Sequence, residues 1–457
     1  MPCGRPEPLL FGTVLVANRG EIARRVFRAC RQLGLKTIAV YSEADRGAPH
    51  VRDADEAVEI GGAPARESYL NAERILDAAR RTRADAIHPG YGFLSESARF
   101  TEAVRQAGIV FIGPRPDAIR KMGDKIEARR LMSAAGVSVL PGSSGAVADV
   151  AGAEAIAREV GFPVILKAAA GGGGIGMARV DKAADLAAAF AAATRRAQAA
   201  FGTGDLYVER YLERPRHVEV QVFGDEAGSV VHMHERECSI QRRHQKLVEE
   251  SPAPGLPAAT KAGLTAAAVA GARSIGYTNA GTMEFLVDEG GGFYFLEMNA
   301  RLQVEHPVTE EVTGLDLVIA QLRTAAGEPL PWQQREIVQR RAAIECRVYA
   351  EDPSKGFLPS PGTIQKLELP SGEGIRIEAG IEAGSTVSVH YDPLLFKLIA
   401  HGATRAEAIE RLAGALDGCV VEGIRTTIPF LRRVVASAEF RQGRVHTQML
   451  EQGAFNA

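Results

Sequence analysis

Residues 297–305, E-M-N-A-R-L-Q-V-E, alternate between side chains that can do chemistry and apolar side chains. A period of two is typical of a strand with one buried face, so the polar side chains would share the other face. That face would carry Glu297, Asn299, Arg301, Gln303 and Glu305. Many such runs are ordinary half-exposed strands, but those usually present Lys, Thr and Ser to solvent. Metal-binding oxygens, a permanent cation, an amide and a base are instead a set that suits the handling of anions.

The length of this run predicts where the strand ends. Since a strand rises about 3.3 Å per residue, the nine residues would extend roughly 26 Å if straight. No single reaction centre is that long. We therefore expect the strand to end near Asn299 and the chain to curve, so that Arg301, Gln303 and Glu305 surround one pocket.

A glycine-rich segment, G-G-G-G-I-G-M at 171–177, follows a predicted strand that ends at Lys167. Glycines let successive backbone N–H groups approach an anion closely, and the lysine adds a point charge. The segment lacks the G-K-[ST] ending of a P-loop. A flexible hairpin turn is the alternative, and a cover over phosphate groups is the better interpretation.

Two further segments have ambiguous patterns. Residues 235–250, E-R-E-C-S-I-Q-R-R-H-Q-K-L-V-E-E, are dense in charge, and the charge pattern alone fits a solvated helix face as well as a functional site. Residues 88–96, H-P-G-Y-G-F-L-S-E, fit a packed loop after a strand. Tyr91, Phe93 and Glu96 therefore rank low among the candidate site residues.

The first ~120 residues predict a doubly wound α/β domain, because short apolar runs alternate with helical spacing. The predicted strands are 13–18, 36–41, 85–88 and 109–112, and a helix follows the first of them. The turn at Asn18–Gly20 lacks G-x-G-x-x-G, so we predict no dinucleotide site there.

Later segments predict a lid, a catalytic sheet and a C-terminal domain. A break at 141–145 precedes a helix at 153–160, a strand at 163–167 and an Ala-rich helix at 186–200, which together read as a small mobile lid ending near Leu212. Strands and helices alternate from Val218 to about Val338, where we expect the central catalytic sheet. Beyond Arg341 short strands and a last helix, 405–416, predict a separate α+β domain.

Composition narrows the function class. In 457 residues, 54 Lys and Arg balance 56 Asp and Glu, so the net charge of −2 favours neither nucleic acid nor an anionic membrane as partner. The first ten residues lack the apolar core of a signal peptide and suggest a floppy extension, and no apolar run approaches the ~20 residues of a membrane span. We expect a cytoplasmic protein.

The cysteines agree with that compartment. Cys3, Cys30, Cys238, Cys346 and Cys419 are odd in number and form no C-x-x-C pair. Reduced thiols are therefore expected, with no disulfide and no structural zinc site. Cys238 reads as a packed thiol rather than a nucleophile.

Together these segments resemble biotin carboxylase, the ATP-grasp component of biotin-dependent carboxylases, from about Thr13 to Gln448. The matching motifs, in order, are V-A-N-R-G-E-I-A, H-P-G-Y-G-F-L-S-E, M-G-D-K, the glycine segment, R-H-V-E-V-Q-V, S-I-Q-R-R-H-Q-K-L-V-E-E-S-P-A-P, E-M-N-A-R-L-Q-V-E-H-P-V-T-E and E-C-R-V-Y-A-E-D-P. A chance match of this order and spacing is not credible.

The resemblance implies a fold of class α/β and α+β. It would be an ATP-grasp protein with an N-terminal Rossmann-like (pre-ATP-grasp) domain at 10–122, an ATP-grasp domain at 123–340 and a C-terminal biotin carboxylase domain at 341–450. The lid subdomain would span about 140–212.

In this family, ATP and bicarbonate give carboxyphosphate, which yields CO2 that is captured by N1′ of biotin on a carrier protein. By resemblance, the nucleotide would be bound by Lys125, Lys167, Gly172, Gly173, Gly174, Met177, Glu209, Tyr211, Leu212, His217, Gln241, His244, Glu284, Leu286 and Glu297. Lys125 and Lys167 would hold phosphates, and residues 209–212 would accept adenine.

The resemblance also assigns the reacting groups. Glu284, Glu297 and Asn299 would ligate Mg²⁺ or Mn²⁺, with two ions expected. The bicarbonate and biotin site would comprise Lys246, Arg301, Gln303, the backbone of Val304, Glu305 and Arg347. Of these, Glu305 would be the base, Arg301 and Lys246 would be catalytic, and Arg347 would stabilise the enolate of biotin.

The chain departs from the commonest family pattern at Ala169, Ala170 and Ile175, where Ser, Gly and a basic residue are frequent. Because the loss of a charge at Ile175 affects the lid and not the phosphate contacts, we expect altered lid closure or ATP affinity rather than lost chemistry.

The partner proteins can be predicted from a motif that the sequence lacks. No A-M-K-M-type biotin attachment sequence occurs, so we expect a separate biotin carboxyl carrier protein and a carboxyltransferase subunit, and, by resemblance, a homodimer. Acetyl-CoA carboxylase is the leading hypothesis. Propionyl-CoA, other acyl-CoA and pyruvate carboxylases come next, and a non-catalytic subunit or a generic ATP-grasp ligase are the weakest alternatives.

Overall fold

The first part of the chain forms a five-stranded parallel sheet in the computed structural model, which describes residues 10–169 and 176–455. Its elements are β1 (Thr13–Val16), α1 (Gly20–Gln32), β2 (Lys36–Ser42), α2 (Pro49–Asp53), β3 (Glu56–Gly61), α3 (Ala72–Arg81), β4 (Ala86–His88), α4 (Ala98–Gln106), β5 (Val110–Phe111) and α5 (Pro116–Gly123). The strand order is β3-β2-β1-β4-β5. The predicted α/β fold is confirmed, and β3 is a strand that the sequence reading missed.

Both faces of this sheet are covered, which explains its short apolar strands. Leu15 and Ala17 pack into one hydrophobic cluster, whereas Val14 and Val16 pack into another. The carboxyl end of β4 carries His88, which is fully buried. Its Nδ1 accepts a hydrogen bond from Gly90 N at 3.0 Å, and its Nε2 lies 3.2 Å from Gln321 Oε1. Both ring nitrogens are thus satisfied in the neutral tautomer, which fixes the start of the 88–96 loop.

We expect His88 to make the fold sensitive to acid. Burial lowers the pKa of His88 to about 4, against the opposing hydrogen bond to Gln321. The unfolded chain, with an ordinary histidine pKa near 6.5, therefore binds the proton first, and the stability from His88 is lost as pH falls from about 6.5 towards 4. In urea unfolding, the stability advantage of the wild type over His88→Gln should shrink by about 2 kcal/mol between pH 7.5 and pH 5.0.

The exposed His390 provides the matched control. His390→Gln should unfold like the wild type at both pH values. An advantage over His88→Gln that stays constant with pH would contradict the role given to His88.

A small subdomain with its own core follows. The connecting helix α6 (Lys125–Ala134) leads to α7 (Val150–Val160), β6 (Val164–Ala168), β7 (Ala178–Val180), α8 (Ala183–Phe201) and β8 (Leu206–Arg210). The strands form a three-stranded antiparallel sheet, β7-β6-β8. Val164, Leu166, Leu186 and Leu206 belong to a hydrophobic cluster of this subdomain. The predicted helices and strand are present, and they form a compact unit with a hydrophobic cluster of its own.

The largest sheet has eight antiparallel strands and crosses the predicted domain boundary. Its first part contains β9 (Arg216–Gly224), β10 (Val230–Arg242), β11 (Gln245–Ser251), α9 (Ala258–Ser274), β12 (Asn279–Val287), β13 (Phe293–Asn299), α10 (His306–Thr313) and α11 (Leu317–Ala325). The strand order is β13-β12-β9-β10-β11, continued by three strands from beyond residue 341. The expectation that the sheet lies within 218–338 is therefore wrong, because β11 pairs directly with the first strand beyond residue 341.

The C-terminal elements complete that sheet and cover it. They are β14 (Ala342–Tyr349), β15 (Glu351–Asp352), β16 (Leu358–Pro359), β17 (Gly362–Thr363), β18 (Lys366–Glu368), β19 (Ile375–Ala379), β20 (Thr386–Val387), β21 (Leu394–Gly402), α12 (Arg405–Gly418), β22 (Val420–Glu422), α13 (Ile428–Ala436) and α14 (Ala438–Arg441). The helix at 405–416 is present but is not the last. Pro429 lies in the first turn of α13. An N–H at this position would have no intrahelical partner, so the proline does not break the helix.

Two sequence expectations can be compared with the described residues. Cys30, Cys238, Cys346 and Cys419 are buried free thiols, and Cys3 lies outside the described residues. None of the helices within 10–169 and 176–455 has both the length and the apolar character that crossing a bilayer requires.

Candidate active site

The β12–β13 hairpin brings the acidic candidates together. Glu284 and Glu297 face each other across the two strands, and Asn299 is opposite Thr282. Strand β13 ends at Asn299, as predicted, and the chain then turns so that Glu305 lies at the N-terminus of α10. The polar side chains after Asn299 therefore point back to the end of the hairpin instead of continuing along it.

Lys246 on β11 contacts three buried carboxylates of the site. Its Nζ lies 2.5 Å from Glu219 Oε2, 2.8 Å from Glu284 Oε1 and 2.8 Å from Glu305 Oε1. Burial alone would lower the pKa of Lys246, but the three carboxylates outweigh it and raise the pKa well above its usual value. Lys246 is therefore a fixed cation at the centre of an acidic pocket.

Glu219 was not singled out from the sequence. It is fully buried on β9 and also accepts a hydrogen bond from Arg236 Nε at 2.6 Å. The signal that could have found it is the period of two in R-H-V-E-V-Q-V, which puts Glu219 and Gln221 on one face.

Glu305 is held between two cations. Its Oε1 contacts Lys246 Nζ and its Oε2 accepts a hydrogen bond from Arg347 Nη2, both at 2.8 Å. Burial raises the pKa of Glu305, but Lys246, Arg347 and Arg236 outweigh burial and hold it well below the ordinary value. The carboxylate is thus ionised at neutral pH and can accept a proton.

Arg347 on β14 bridges two buried acids. Besides Glu305, it contacts Glu249, whose Oε1 lies 2.5 Å from Arg347 Nε. Burial raises the pKa of Glu249 to about 7 although Arg347 acts against it. The arginine thus comes from the C-terminal part of the chain and reaches Glu305 because β14 belongs to the shared eight-stranded sheet.

Arg301 organises the turn after β13. It donates to Asn299 Oδ1 at 2.7 Å and to Gln303 Oε1 at 2.8 Å. Glu96 Oε2 accepts from Arg301 Nε at 2.9 Å, and Glu96 Oε1 accepts from Ala300 N at 2.9 Å. The structure therefore places Glu96 at the site although the sequence ranked it low. The pairing could not be read from the sequence, because the two residues are far apart along the chain.

Glu284 and Glu297 provide a donor set that fits a hard cation. Glu284 contacts His217 Nε2 at 2.9 Å and accepts from Asn299 Nδ2 at 2.9 Å, while the half-exposed Glu297 lies 3.4 Å from Lys125 Nζ. Burial raises the pKa of Glu284, but Lys246 and His217 outweigh burial and lower it, so it is ionised. Two opposed carboxylates with an amide oxygen nearby match the oxygen ligands that Mg²⁺ and Mn²⁺ prefer.

The lid strands place a second group of candidates. Lys167 Nζ lies 2.5 Å from Glu209 Oε2, and Glu209 also pairs with Arg129. Tyr211 N donates to Pro163 O at 2.9 Å. In the β6–β8 pairing Lys167 is opposite Tyr207 and Glu209 is opposite Ile165, so their side chains meet on one face, and Tyr211 and Leu212 follow β8. Gly172, Gly173, Gly174, Ala170 and Ile175 lie outside the described residues, and Met177 is the second residue after that gap.

The remaining nucleotide candidates lie around His217. Gln241 Nε2 is 3.4 Å from His217 Nδ1, and Leu286 is opposite His217 in the β12–β9 pairing. His244 has a positive φ of 68° in the turn between β10 and β11. Burial lowers the pKa of His244, and the charges of Lys167, His217 and Glu297 also act on it.

The charged segment 235–250 is a buried hairpin, β10–β11, and the solvated-helix alternative is wrong. Its charges are paired across the sheet, as with Glu237 and Arg216 at 2.5 Å. Cys238 is fully buried, and burial raises the pKa of its thiol well above the usual value. This agrees with the prediction of a packed thiol.

Three family models match consecutive parts of the chain. The model described as "Biotin carboxylase, N-terminal domain" matches 10–119, "Carbamoyl-phosphate synthase L chain, ATP binding domain" matches 124–333, and "Biotin carboxylase C-terminal domain" matches 345–452. The protein named Biotin carboxylase 2 of Bacillus subtilis is 54% identical over 97% of this chain and 100% of its own length. The chain belongs to the biotin carboxylase family.

Other relatives are also similar to this chain over nearly its whole length. The mitochondrial methylcrotonoyl-CoA carboxylase subunit alpha of Oryza sativa is 51% identical over 96% of this chain, which spans 60% of that longer subunit. A crystal structure of the Hydrogenobacter thermophilus 2-oxoglutarate carboxylase biotin carboxylase domain dimer, in complex with MgADP, ADP and bicarbonate, has a TM-score of 0.94 and 48% identity. That likeness covers 98% of this chain and 99% of the other. The ATP-grasp biotin carboxylase fold predicted from the sequence is therefore confirmed.

Proposed function

We propose that this chain uses ATP and bicarbonate to carboxylate biotin carried by another protein. The observation that carries the proposal is the environment of Glu305, a fully buried and ionised carboxylate between Lys246 and Arg347. Arg301 and Gln303 lie beside it and are joined to each other at 2.8 Å. A base next to fixed cations and donors is what a small anion needs in order to be held and deprotonated.

Bicarbonate binding would itself activate the base. Lys246 and Arg347 hold the pKa of Glu305 low. An anion that binds against Lys246 and Arg301 brings negative charge close to Glu305 and competes for its cations, which raises that pKa. Glu305 then becomes a stronger base at the point where the proton of bicarbonate must be removed.

The phosphoryl transfer follows from that deprotonation. A carbonate oxygen attacks the γ-phosphorus of ATP, the bond to the β-phosphate oxygen breaks, and ADP leaves as carboxyphosphate forms. We propose that Lys125 and Lys167 hold the phosphates, with Gly172, Gly173 and Gly174 above them. Glu209, Tyr211 and Leu212 would accept adenine, and Met177, His217, Gln241, His244 and Leu286 would surround the nucleotide.

Glu284 and Glu297, with Asn299, are the residues that would hold Mg²⁺ or Mn²⁺. The bound cation would offset negative charge on the phosphates. Lys246 contacts both Glu284 and Glu305, so the residue that links the cation site to the base is already in place.

Arg347 is proposed to act on biotin. Carboxyphosphate gives CO2 and phosphate, N1′ of biotin loses its proton to phosphate, and N1′ then bonds to CO2. The negative charge on the ureido oxygen of biotin needs a cation that stays charged when desolvated, which favours arginine. Arg347 meets that need because it is buried and held in place by Glu249 and Glu305.

We propose acetyl-CoA carboxylase as the parent enzyme, with a biotin carboxyl carrier protein and a carboxyltransferase subunit as partners and a homodimer as the assembly. Propionyl-CoA, other acyl-CoA and pyruvate carboxylases are the alternatives. The methylcrotonoyl-CoA carboxylase relative supports keeping them, because it is almost as similar as Biotin carboxylase 2. Carboxyl transfer to each acceptor, assayed with the purified carrier and transferase, would decide between them.

The first test is ADP release by the purified chain with ATP, Mg²⁺ and bicarbonate, with and without free biotin. We expect release that requires bicarbonate and is stimulated by biotin. A folded protein that binds ATP but shows no such stimulation would contradict the proposal and favour the non-catalytic subunit.

A further inference from the structure

A buried lysine from outside the ATP-grasp region reaches the bicarbonate loop, defined here as residues 300–305. Lys397 lies on β21, and its side chain is 0% exposed. Its Nζ donates to Val304 O at 2.8 Å and lies 3.2 Å from Glu21 Oε2 on α1. It also lies 5.6 Å from the centre of the Tyr91 ring. Three distant parts of the chain therefore meet at one ammonium group beside the site.

Stability alone does not account for a lysine at this position. A charge in the interior is costly unless it is paired, and Glu21 supplies the partner. The Glu21 carboxylate is itself buried and has no hydrogen-bond partner among the residues that the structure describes, so its main compensation is this ion pair. Buried ion pairs can often be replaced by apolar side chains of similar volume with little loss of stability. The contact that remains to be explained is the hydrogen bond to Val304.

Val304 lies where that contact matters. Two neighbouring carbonyls of this turn are bonded locally, since Gln303 O lies 2.8 Å from His306 Nδ1 and Leu302 O accepts from Arg301 at 3.2 Å. Val304 O instead accepts from Lys397, which is far along the chain. This hydrogen bond fixes the peptide plane between Val304 and Glu305, because the carbonyl and the following N–H lie in one plane.

We propose that Lys397 is a positioning residue that orients the Val304–Glu305 peptide and thereby aims the Glu305 carboxylate between Lys246 and Arg347. The inference rests on the proposed function, in which this loop binds bicarbonate. Lys397 touches neither substrate nor metal ligand in this assignment. It acts through the backbone, and Glu21 serves to keep its charge in place.

The double variant Lys397→Met/Glu21→Leu tests the role, because it removes both members of the buried ion pair together with the hydrogen bond to Val304. In the complete chain we expect the KM for bicarbonate to rise about tenfold, the value for one hydrogen bond from a charged group. The KM for ATP should stay within about twofold, because Lys397 contacts none of the nucleotide candidates that the structure describes. A melting temperature close to that of the wild type would show that the fold is retained.

The matched control is Arg405→Met/Glu250→Leu, which removes the pair of the buried Glu250 with the half-buried Arg405, joined at 2.5 Å and not in contact with the bicarbonate loop. Its KM for bicarbonate should not change. A Lys397→Met/Glu21→Leu variant with wild-type values for bicarbonate would overturn the positioning role.

Hydrogen–deuterium exchange of residues 300–308 separates this proposal from the proposed function. If the wild type shows no bicarbonate-dependent ATP cleavage, the function fails, but faster exchange in the double variant would still support the orientation of the loop by Lys397. Unchanged exchange would contradict it whatever the activity. If the double variant does not fold, the same exchange measurement on Lys397→Gln decides.

Discussion

Replacing Glu305 by glutamine should reduce bicarbonate-dependent ATP cleavage by roughly 10²–10⁴-fold, the contribution expected of a general base. Glutamine has almost the same size, and its single amide oxygen can still accept from Lys246 or from Arg347. Its NH2 group cannot accept from the other cation, and glutamine cannot take the proton of bicarbonate. The fold should persist, with reduced stability, because the two cations lose part of their compensation. ADP release as a function of bicarbonate concentration, together with a thermal melt, measures both effects.

Glu250 gives the matched control for this substitution. It is also a buried carboxylate on β11 and is held by an arginine, since Arg405 contacts it at 2.5 and 3.0 Å. Glu250→Gln should lower stability and leave the cleavage rate unchanged. A Glu305→Gln enzyme that retains more than about a tenth of the wild-type rate would exclude Glu305 as the base.

Lys246→Met should give the largest loss of stability. Its side chain compensates Glu219, Glu284 and Glu305 in the interior, and breaking a buried ion pair by removing one partner costs about 3–5 kcal/mol. Without Lys246 the pKa values of these carboxyls rise in the folded state. A carboxyl with a raised folded-state pKa loses stability as pH rises above its unfolded value of about 4.3. The variant should therefore be more destabilised at pH 7.5 than at pH 5.0.

Urea unfolding at the two pH values, in EDTA so that no metal cation replaces the ammonium, measures this trend. Lys36→Met is the control, because Lys36 is an exposed lysine that pairs with Glu56. Its stability relative to the wild type should not vary with pH. A penalty for Lys246→Met that is equal at both pH values, or larger at pH 5.0, would contradict the proposed charge balance.

Local pattern predicted part of the site correctly. The alternation at 297–305 predicted a strand, and the size of a reaction centre predicted its end near Asn299, where β13 does end. The same argument predicted that Arg301, Gln303 and Glu305 would converge, and they meet around Lys246 and Glu284. Periodicity and length suffice here because the nine residues are consecutive.

Contacts between segments that are far apart along the chain could not be predicted from the sequence. Glu96 contacts Arg301, and Lys397 contacts Val304, although the two residues of each pair are far apart along the chain. The charge density of 235–250 was compatible with a solvated helix because charges are usually exposed. In the structure some of these charges are instead balanced by partners on a neighbouring strand, as Glu237 is by Arg216 and Arg236 by Glu219, and such partners cannot be identified from one segment alone.

The eight-stranded sheet contains strands from both sides of residue 341, so neither part of the chain forms the complete sheet alone. β11 and β14 exchange backbone hydrogen bonds at residues 248–251 and 343–346, so a chain cut near residue 340 would leave β11 with an open edge. An unprotected edge is a template for pairing with other chains. A shortened ATP-grasp fragment should therefore aggregate instead of acting as a minimal enzyme. Insertions or gene fusions should be tolerated outside the β11–β14 pairing but not within it.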